Sequence, residues 1–82
     1  MVDSMKKVST YSDVVNSFHS TFQDKVEIPD ALERVWFFKA VGKFSHEIDR
    51  LNFDEELYEF DTLLDRYVID TLGVMMHEFY QQ

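Results

Sequence analysis

The chain has no cysteine, a single proline, two glycines and no long apolar run. Without cysteine it can form neither a disulfide nor a thiolate metal site. It lacks the run of about 20 apolar residues that a membrane span needs, and its first residues lack the apolar core of a signal peptide. We therefore expect an intracellular protein with no membrane partner, stabilised by helix packing and by assembly.

Basic residues are scarce in the second half of the chain. The net charge is −8; residues 1–43 hold six acids and six bases, whereas residues 44–82 hold ten acids and two bases. Proteins that bind nucleic acid through its phosphates need clustered Lys and Arg, so this distribution argues against such binding. An acidic surface instead repels DNA, imitates it, or only keeps the protein soluble.

Large apolar side chains are abundant for so short a chain. A domain of 82 residues buries only about 60% of the surface that its unfolded form exposes, so its stability is marginal. The sequence nevertheless carries eight Phe, four Tyr, four Met and one Trp. We interpret them as a core together with some surplus apolar surface for a partner.

Apolar residues that recur every three or four positions predict three helices. Their spacing places the helices over residues 11–24, 30–51 and 62–80. We expect residues 1–9 to be a flexible leader and residues 10–82 to form a single helical domain.

Several residues predict where these helices begin and where they cross. Thr10 is expected to open a capping box at the first helix, and Asp61 or Thr62 is expected to cap the third. Gly42 and Gly73 lie inside the second and third helices, where glycine costs about 1 kcal/mol relative to alanine. Each is therefore predicted to mark a close helix crossing.

The stretch 52–61, NFDEELYEFD, separates the second and third predicted helices. Its turn-forming residues predict a loop with at most one helical turn, although its last residues also suit a short extended chain. The predicted fold class is therefore all-α, a small bundle of three main helices with an acidic connecting turn. Asp54, Glu55, Glu56 and Glu59 are expected to remain in solvent and are candidate interface residues.

Trp36, Phe37 and Phe38 are consecutive aromatic residues in the second predicted helix. Successive helical residues lie about 100° apart, so one core cannot accommodate all three side chains. The apolar face around them is wide, which indicates a helix that is central in its fold or covered by a partner. The three are candidate interface residues; the alternative is a boundary position in a monomer.

Motifs for metal binding and catalysis fail on inspection. His-Glu pairs begin at His46 and His77, but a zinc protease helix needs a second His four residues after the first, where Arg50 and Gln81 stand. The acidic turn lacks the Gly and Glu of a calcium loop. No Cys nucleophile, phosphate loop, Ser elbow or recognisable His–carboxylate spacing is present. We expect no enzyme activity and no catalytic, metal-binding or cofactor-binding residue.

Three features together carry a resemblance. They are Ala40, Phe44 and Ile48 on the middle helix, the acidic turn, and DRYVIDTLGVMMHEFY on the last helix. With them, about residues 10–80 resemble the small helical head–tail connector (neck, or adaptor) proteins of tailed bacteriophages.

The resemblance implies a structural virion protein that is assembled in the host cytoplasm. Such proteins form a homo-oligomeric ring, often of twelve copies, between the portal and the next neck or tail protein. Part of the ring surrounds the DNA channel, so DNA passes through without specific binding.

Two other classes of function compete with the connector. The acidic half-chain also suits an inhibitor or DNA mimic that binds a basic nucleic-acid-binding partner. A small regulatory or enzymatic helical domain is the third class, and no sequence feature favours it.

Overall fold

The computed structural model describes residues 7–24 and 26–81. Its elements are α1 (Tyr11–His19), α2 (Asp30–Glu47), β1 (Phe53–Asp54), β2 (Glu59–Phe60) and α3 (Arg66–Gln81). The protein is mostly helical, and the prediction of three main helices is confirmed. The prediction of an all-α fold is wrong, because the two strands form a small antiparallel sheet between α2 and α3.

The first helix begins as predicted and ends early. The Asp13 backbone N–H lies 3.4 Å from the hydroxyl of Thr10, and the Asp13 carboxylate accepts from the Thr10 N–H at 2.9 Å. The helix ends at His19 because the hydroxyls of Ser20 and Thr21 donate to carbonyl oxygens one turn back, both at 2.6 Å. Side chains that bond the backbone in this way compete with continuation of the helix.

The second helix begins directly after Pro29, a position that proline tolerates because its missing N–H has no helical partner there. It ends at Glu47, four residues before the predicted end. The Ser45 hydroxyl accepts a hydrogen bond from the Leu51 N–H at 3.0 Å, which holds the chain after the helix in a non-helical path.

The acidic stretch between α2 and α3 is a β-hairpin. Phe53 pairs with Phe60, and Asp54 pairs with Glu59. The four-residue loop between the strands, residues 55–58, takes the place of the single helical turn that was allowed for this stretch.

The hairpin loop is held by one carboxylate and one unusual backbone conformation. Asp54 Oδ1 accepts from the N–H groups of Glu56 at 2.8 Å and Leu57 at 3.2 Å. Tyr58 closes the loop with φ of 55°, in the left-handed region that non-glycine residues rarely occupy. Contacts of the Tyr58 ring must therefore offset a backbone cost.

The third helix begins at Arg66, so neither Asp61 nor Thr62 caps it. Asp61 is engaged elsewhere, since its carboxylate accepts from the Asn52 side-chain amide at 3.1 Å. The Thr62 carbonyl accepts from the Ser9 N–H, also at 3.1 Å. These contacts hold residues 61–65 outside the helix.

Ser9 is part of the packed domain, although it was placed in the predicted leader. It is 3% exposed. Its carbonyl accepts from the Phe60 N–H and its hydroxyl from the Leu64 N–H, both at 2.8 Å. Residues 1–6 of the predicted leader lie outside the described residues, so the leader prediction stays open there.

A single apolar core joins the three helices to the hairpin. The third helix packs against both α1 and α2, and Phe60 adds the hairpin to the same cluster. Met75 and Met76 are buried. The buried apolar residues are Val14, Phe18, Phe37, Ala40, Phe44, Phe60, Ile69, Leu72, Met75 and Met76.

The two glycines differ in their surroundings. A Cβ at Gly73 would lie 2.7 Å from the Ser17 hydroxyl and 2.9 Å from the Phe18 backbone nitrogen, so α1 and α3 cross closely there, as predicted. A Cβ at Gly42 would meet nothing within 4 Å, so the predicted crossing at this residue is wrong.

Candidate interaction surface

The three consecutive aromatic residues of α2 point in three directions. Phe37 is fully buried, so it is a core residue that a partner cannot reach in this fold. Trp36 is half-buried on the side of α3, 5.8 Å from Tyr80 between ring centroids. Phe38 is half-buried under the hairpin, 5.8 Å from Phe53. Contact of Trp36 or Phe38 with a partner stays a prediction.

We call residues 53–60 the acidic hairpin. Asp54, Glu55 and Glu56 are exposed and Glu59 is half-buried. Within the part of the chain that the structure describes, none of these four carboxylates forms an ion pair with a basic side chain. The hairpin therefore presents uncompensated negative charge, as the sequence predicted.

Aromatic contacts fix the orientation of the acidic hairpin on the helices. The Tyr58 ring lies 5.2 Å from Tyr11 and 5.6 Å from Phe53, and the Tyr11 N–H donates to the Tyr58 carbonyl at 3.0 Å. Burial, and then the nearby Glu33 carboxylate, raises the pKa of the Tyr11 phenol. The neutral phenol is thus the form that suits this packing.

The tip of the acidic hairpin also carries an apolar side chain. Leu57 is 65% exposed, between the exposed acids and the strained Tyr58. The surface therefore offers both charge and apolar area to a partner.

A second surface lies on the outer side of α2, and we call it the basic face. It consists of Leu32, Val35, Lys39 and Lys43, which are spaced three or four residues apart and so share one side of a helix. Leu32 and Val35 are 45% and 47% exposed. The Lys39 Nζ lies 5.7 Å from the centre of the Phe79 ring.

The basic face was not predicted from the sequence, because Leu32 recurs with Trp36, Ala40, Phe44 and Ile48 every four residues, which places it in one apolar stripe of the second helix. The structure buries the middle of that stripe, at Ala40 and Phe44, but leaves Leu32 and Ile48 exposed at its ends. The sequence did contain an indication of this exposed surface, because the apolar face of the second helix is wider than one core can cover.

A His–carboxylate pair joins α1 to α2, although no such pair was predicted. His19 Nε2 contacts the Glu33 carboxylate, which is almost completely buried. The two residues are 14 positions apart, so no local spacing could reveal them. The described residues that line the adjoining cleft, 26–30 with His19 and Glu33, include no hydroxyl or thiol nucleophile. The pair fastens the end of one helix to the start of the next.

Metal binding and membrane insertion find no support in the part of the chain that the structure describes. Within residues 7–24 and 26–81, no three His, Asp or Glu side chains form a group suited to a metal ion. Over the same residues, no helix combines the length and the apolar character that crossing a membrane requires.

Comparison with protein-family models, with curated proteins and with solved structures gives no match to this chain. The resemblance to phage connectors therefore stays a prediction. The acidic hairpin and the basic face are two surfaces that combine charge with exposed apolar side chains.

Proposed function

We propose that this protein is a structural virion component without catalytic activity, a head–tail connector that forms a ring between the portal and the next neck or tail protein. The observation that carries the proposal is the exposed apolar side of α2, where Leu32 and Val35 are each about half exposed. Large exposed aliphatic side chains that neighbour one another on a helix are typical of a surface that another protein covers.

The energetics of a small domain favour this proposal. Burying apolar surface contributes about 25 cal/mol per Å². A chain of 82 residues has a small core, so contacts with other subunits add to its stability by mass action. The exposed side of α2 is a source of such contacts.

The negative charge of the chain fits a DNA channel. Exposed carboxylates repel the phosphates of a duplex, which allows DNA to pass without specific binding. Exposed acids outside the hairpin, such as Asp49 and Asp65, leave this repulsion in place when the hairpin contacts a neighbouring subunit.

Light scattering and electron microscopy of the purified chain test the proposal. We expect a particle of many subunits that appears as a closed ring with a central channel. Replacing Leu32 and Val35 together by Ser should lower the mass towards that of a monomer. The matched control is Val74→Ser, which removes a side chain of similar exposure, 49%, from α3. A wild-type chain that stays monomeric at millimolar concentration contradicts the proposal.

The exposed carboxylates also favour a second candidate, an acidic DNA mimic that binds a basic nucleic-acid-binding protein. A mimic should be monomeric and should compete with duplex DNA for a basic protein such as a histone dimer. Its complex should weaken steeply with salt, and replacing Glu55, Glu56 and Glu59 by Gln should abolish it. A ring-forming chain that leaves histone–DNA complexes intact would exclude this candidate.

A further inference from the structure

We infer that the acidic hairpin of one subunit docks on the basic face of the neighbouring subunit. The inference rests on the proposed ring and specifies the contact that builds it. The partner is therefore a second copy of this chain. Each copy binds one neighbour through its acidic hairpin and another neighbour through its basic face.

The first argument is charge. Between Ala31 and His46 the exposed charged side chains of α2 are all basic, since Glu33 is buried. Neither Lys39 nor Lys43 forms an ion pair with a described residue. The acidic hairpin likewise forms no ion pair with a described residue, so the described part of the molecule carries two complementary surfaces whose charges are not paired within it.

The second argument is the placement of the two surfaces. The hairpin packs over Phe37 and Phe38, 4.8 Å and 5.8 Å from Phe53 between ring centroids. The basic face borders α3 instead, where Lys39 approaches Phe79. The surfaces lie on different sides of α2 and no ion pair between described residues joins them, so their charges are available to meet between two molecules.

The third argument is the match of apolar groups. Leu57 at the hairpin tip is 65% exposed beside its carboxylates, and Leu32 and Val35 are exposed beside the lysines. Gly42 lies on the same outer side of α2 with nothing near its Cβ position. A glycine in a helix lowers helix stability, and packing within the molecule does not explain this one. The backbone at Gly42 is open to close approach by the hairpin of another copy.

A contact between two different patches has a geometric consequence. It is heterologous, so repeating it adds copies head to tail, and the chain of copies closes into a ring when the rotation per subunit allows. A self-complementary patch would stop at a dimer. The inferred contact thus produces the kind of assembly that a connector requires.

Charge reversal with reciprocal rescue tests the contact. One variant carries Lys39→Glu and Lys43→Glu, and the other carries Glu55→Lys and Glu56→Lys. Each variant alone places like charges at its own interface, so its self-association should weaken about tenfold or more. A one-to-one mixture restores opposite charges at every contact and should assemble as the wild type does. Sedimentation velocity measures all three samples at one salt concentration.

Matched controls separate the contact from net charge. Lys7→Glu with Arg50→Glu alters the net charge as the first variant does, and Glu27→Lys with Glu78→Lys alters it as the second does; all four side chains are exposed. These controls should assemble normally. Circular dichroism should show native helicity for every variant, so that a loss of mass is not a loss of fold.

The outcomes distinguish this inference from the proposed function. If rings persist in both charge-reversed variants, or if their mixture stays dissociated, the inferred contact is wrong, but the proposed connector function is not contradicted. If the mixture assembles into open filaments instead of rings, the inferred contact is supported and the proposed connector function is contradicted. A wild-type monomer overturns both.

Discussion

Replacing Gly73 by Ala should destabilise the fold, whereas the same change at Gly42 should stabilise it. Both glycines lie inside helices, and an alanine at either gains about 1 kcal/mol of helix propensity. At Gly42 nothing lies within 4 Å of the new Cβ, so this gain is the whole effect. We therefore expect Gly42→Ala to raise the free energy of unfolding by about 0.5–1 kcal/mol.

At Gly73 the new Cβ meets the crossing helix. It would lie 2.9 Å from the Phe18 nitrogen, whereas ordinary contacts begin at 3.4 Å, so α1 and α3 must separate by several tenths of an ångström. Such overpacking costs about 1–3 kcal/mol. The Cβ would also lie 2.7 Å from the Ser17 hydroxyl, which donates to Asp70 at 2.8 Å. Disturbing that hydrogen bond costs about 1 kcal/mol more. After the propensity gain is subtracted, Gly73→Ala should lower the free energy of unfolding by about 1–3 kcal/mol.

Urea unfolding followed by Trp36 fluorescence and by far-ultraviolet circular dichroism measures both variants. All samples must have one protein concentration, low enough for sedimentation to show monomers, because association adds to apparent stability. Opposite shifts of the two midpoints support the close crossing of α1 and α3. If both alanine variants shift the unfolding midpoint in the same direction by similar amounts, the close crossing of α1 and α3 is refuted.

Three further changes test the hairpin and its attachment. Stability should fall as pH rises above about 10, the ordinary pKa of tyrosine, because the raised pKa of Tyr11 disfavours its anion in the fold; Tyr11→Phe should reduce this fall in urea titrations across that range. Ser9→Ala should cost about 1–2 kcal/mol, since it leaves the Leu64 N–H without its acceptor, and Ser12→Ala on the exposed side of α1 is the control with almost no effect. Tyr58→Gly should be more stable than Tyr58→Ala by about 1 kcal/mol in thermal unfolding, because both lose the ring and glycine alone adopts positive φ freely; equal stabilities would contradict the left-handed conformation.

The helices could be predicted because their apolar periodicity is long and regular. The last residues of α1 and α2 could not, since both helices end where side-chain hydroxyls bond the backbone. Thr21 and Ser45 illustrate this, because their hydroxyls bond backbone groups where a propensity scale would continue the helix. Whether such a hydrogen bond forms depends on the rotamer of the side chain, which cannot be read from the sequence.

The hairpin was missed because it depends on contacts that are distant in the sequence. Its strands are two residues each, too short for an alternating pattern to appear. Ser9 and Tyr11 supply hydrogen bonds to it from about 50 residues away in the chain. Three of its acids, Asp54, Glu55 and Glu56, are exposed as predicted, since exposure of charge needs no knowledge of the partner strand, whereas Glu59 is half-buried.

The aromatic content led to a partial misreading of the surface. One Trp, four Tyr, eight Phe and four Met predicted a core together with some surplus apolar surface for a partner. In the fold most of the aromatic residues contact one another, and only Tyr67 and Tyr80 among them are exposed. The large apolar groups left outside are mainly aliphatic, such as Leu32, Val35 and Leu57, and the two surfaces that carry them also carry charge. We therefore propose that a partner of this protein is selected by complementary charge around aliphatic contacts, not by stacking on aromatic rings. Another copy of the chain would meet that requirement, because it presents both signs of charge on separate surfaces.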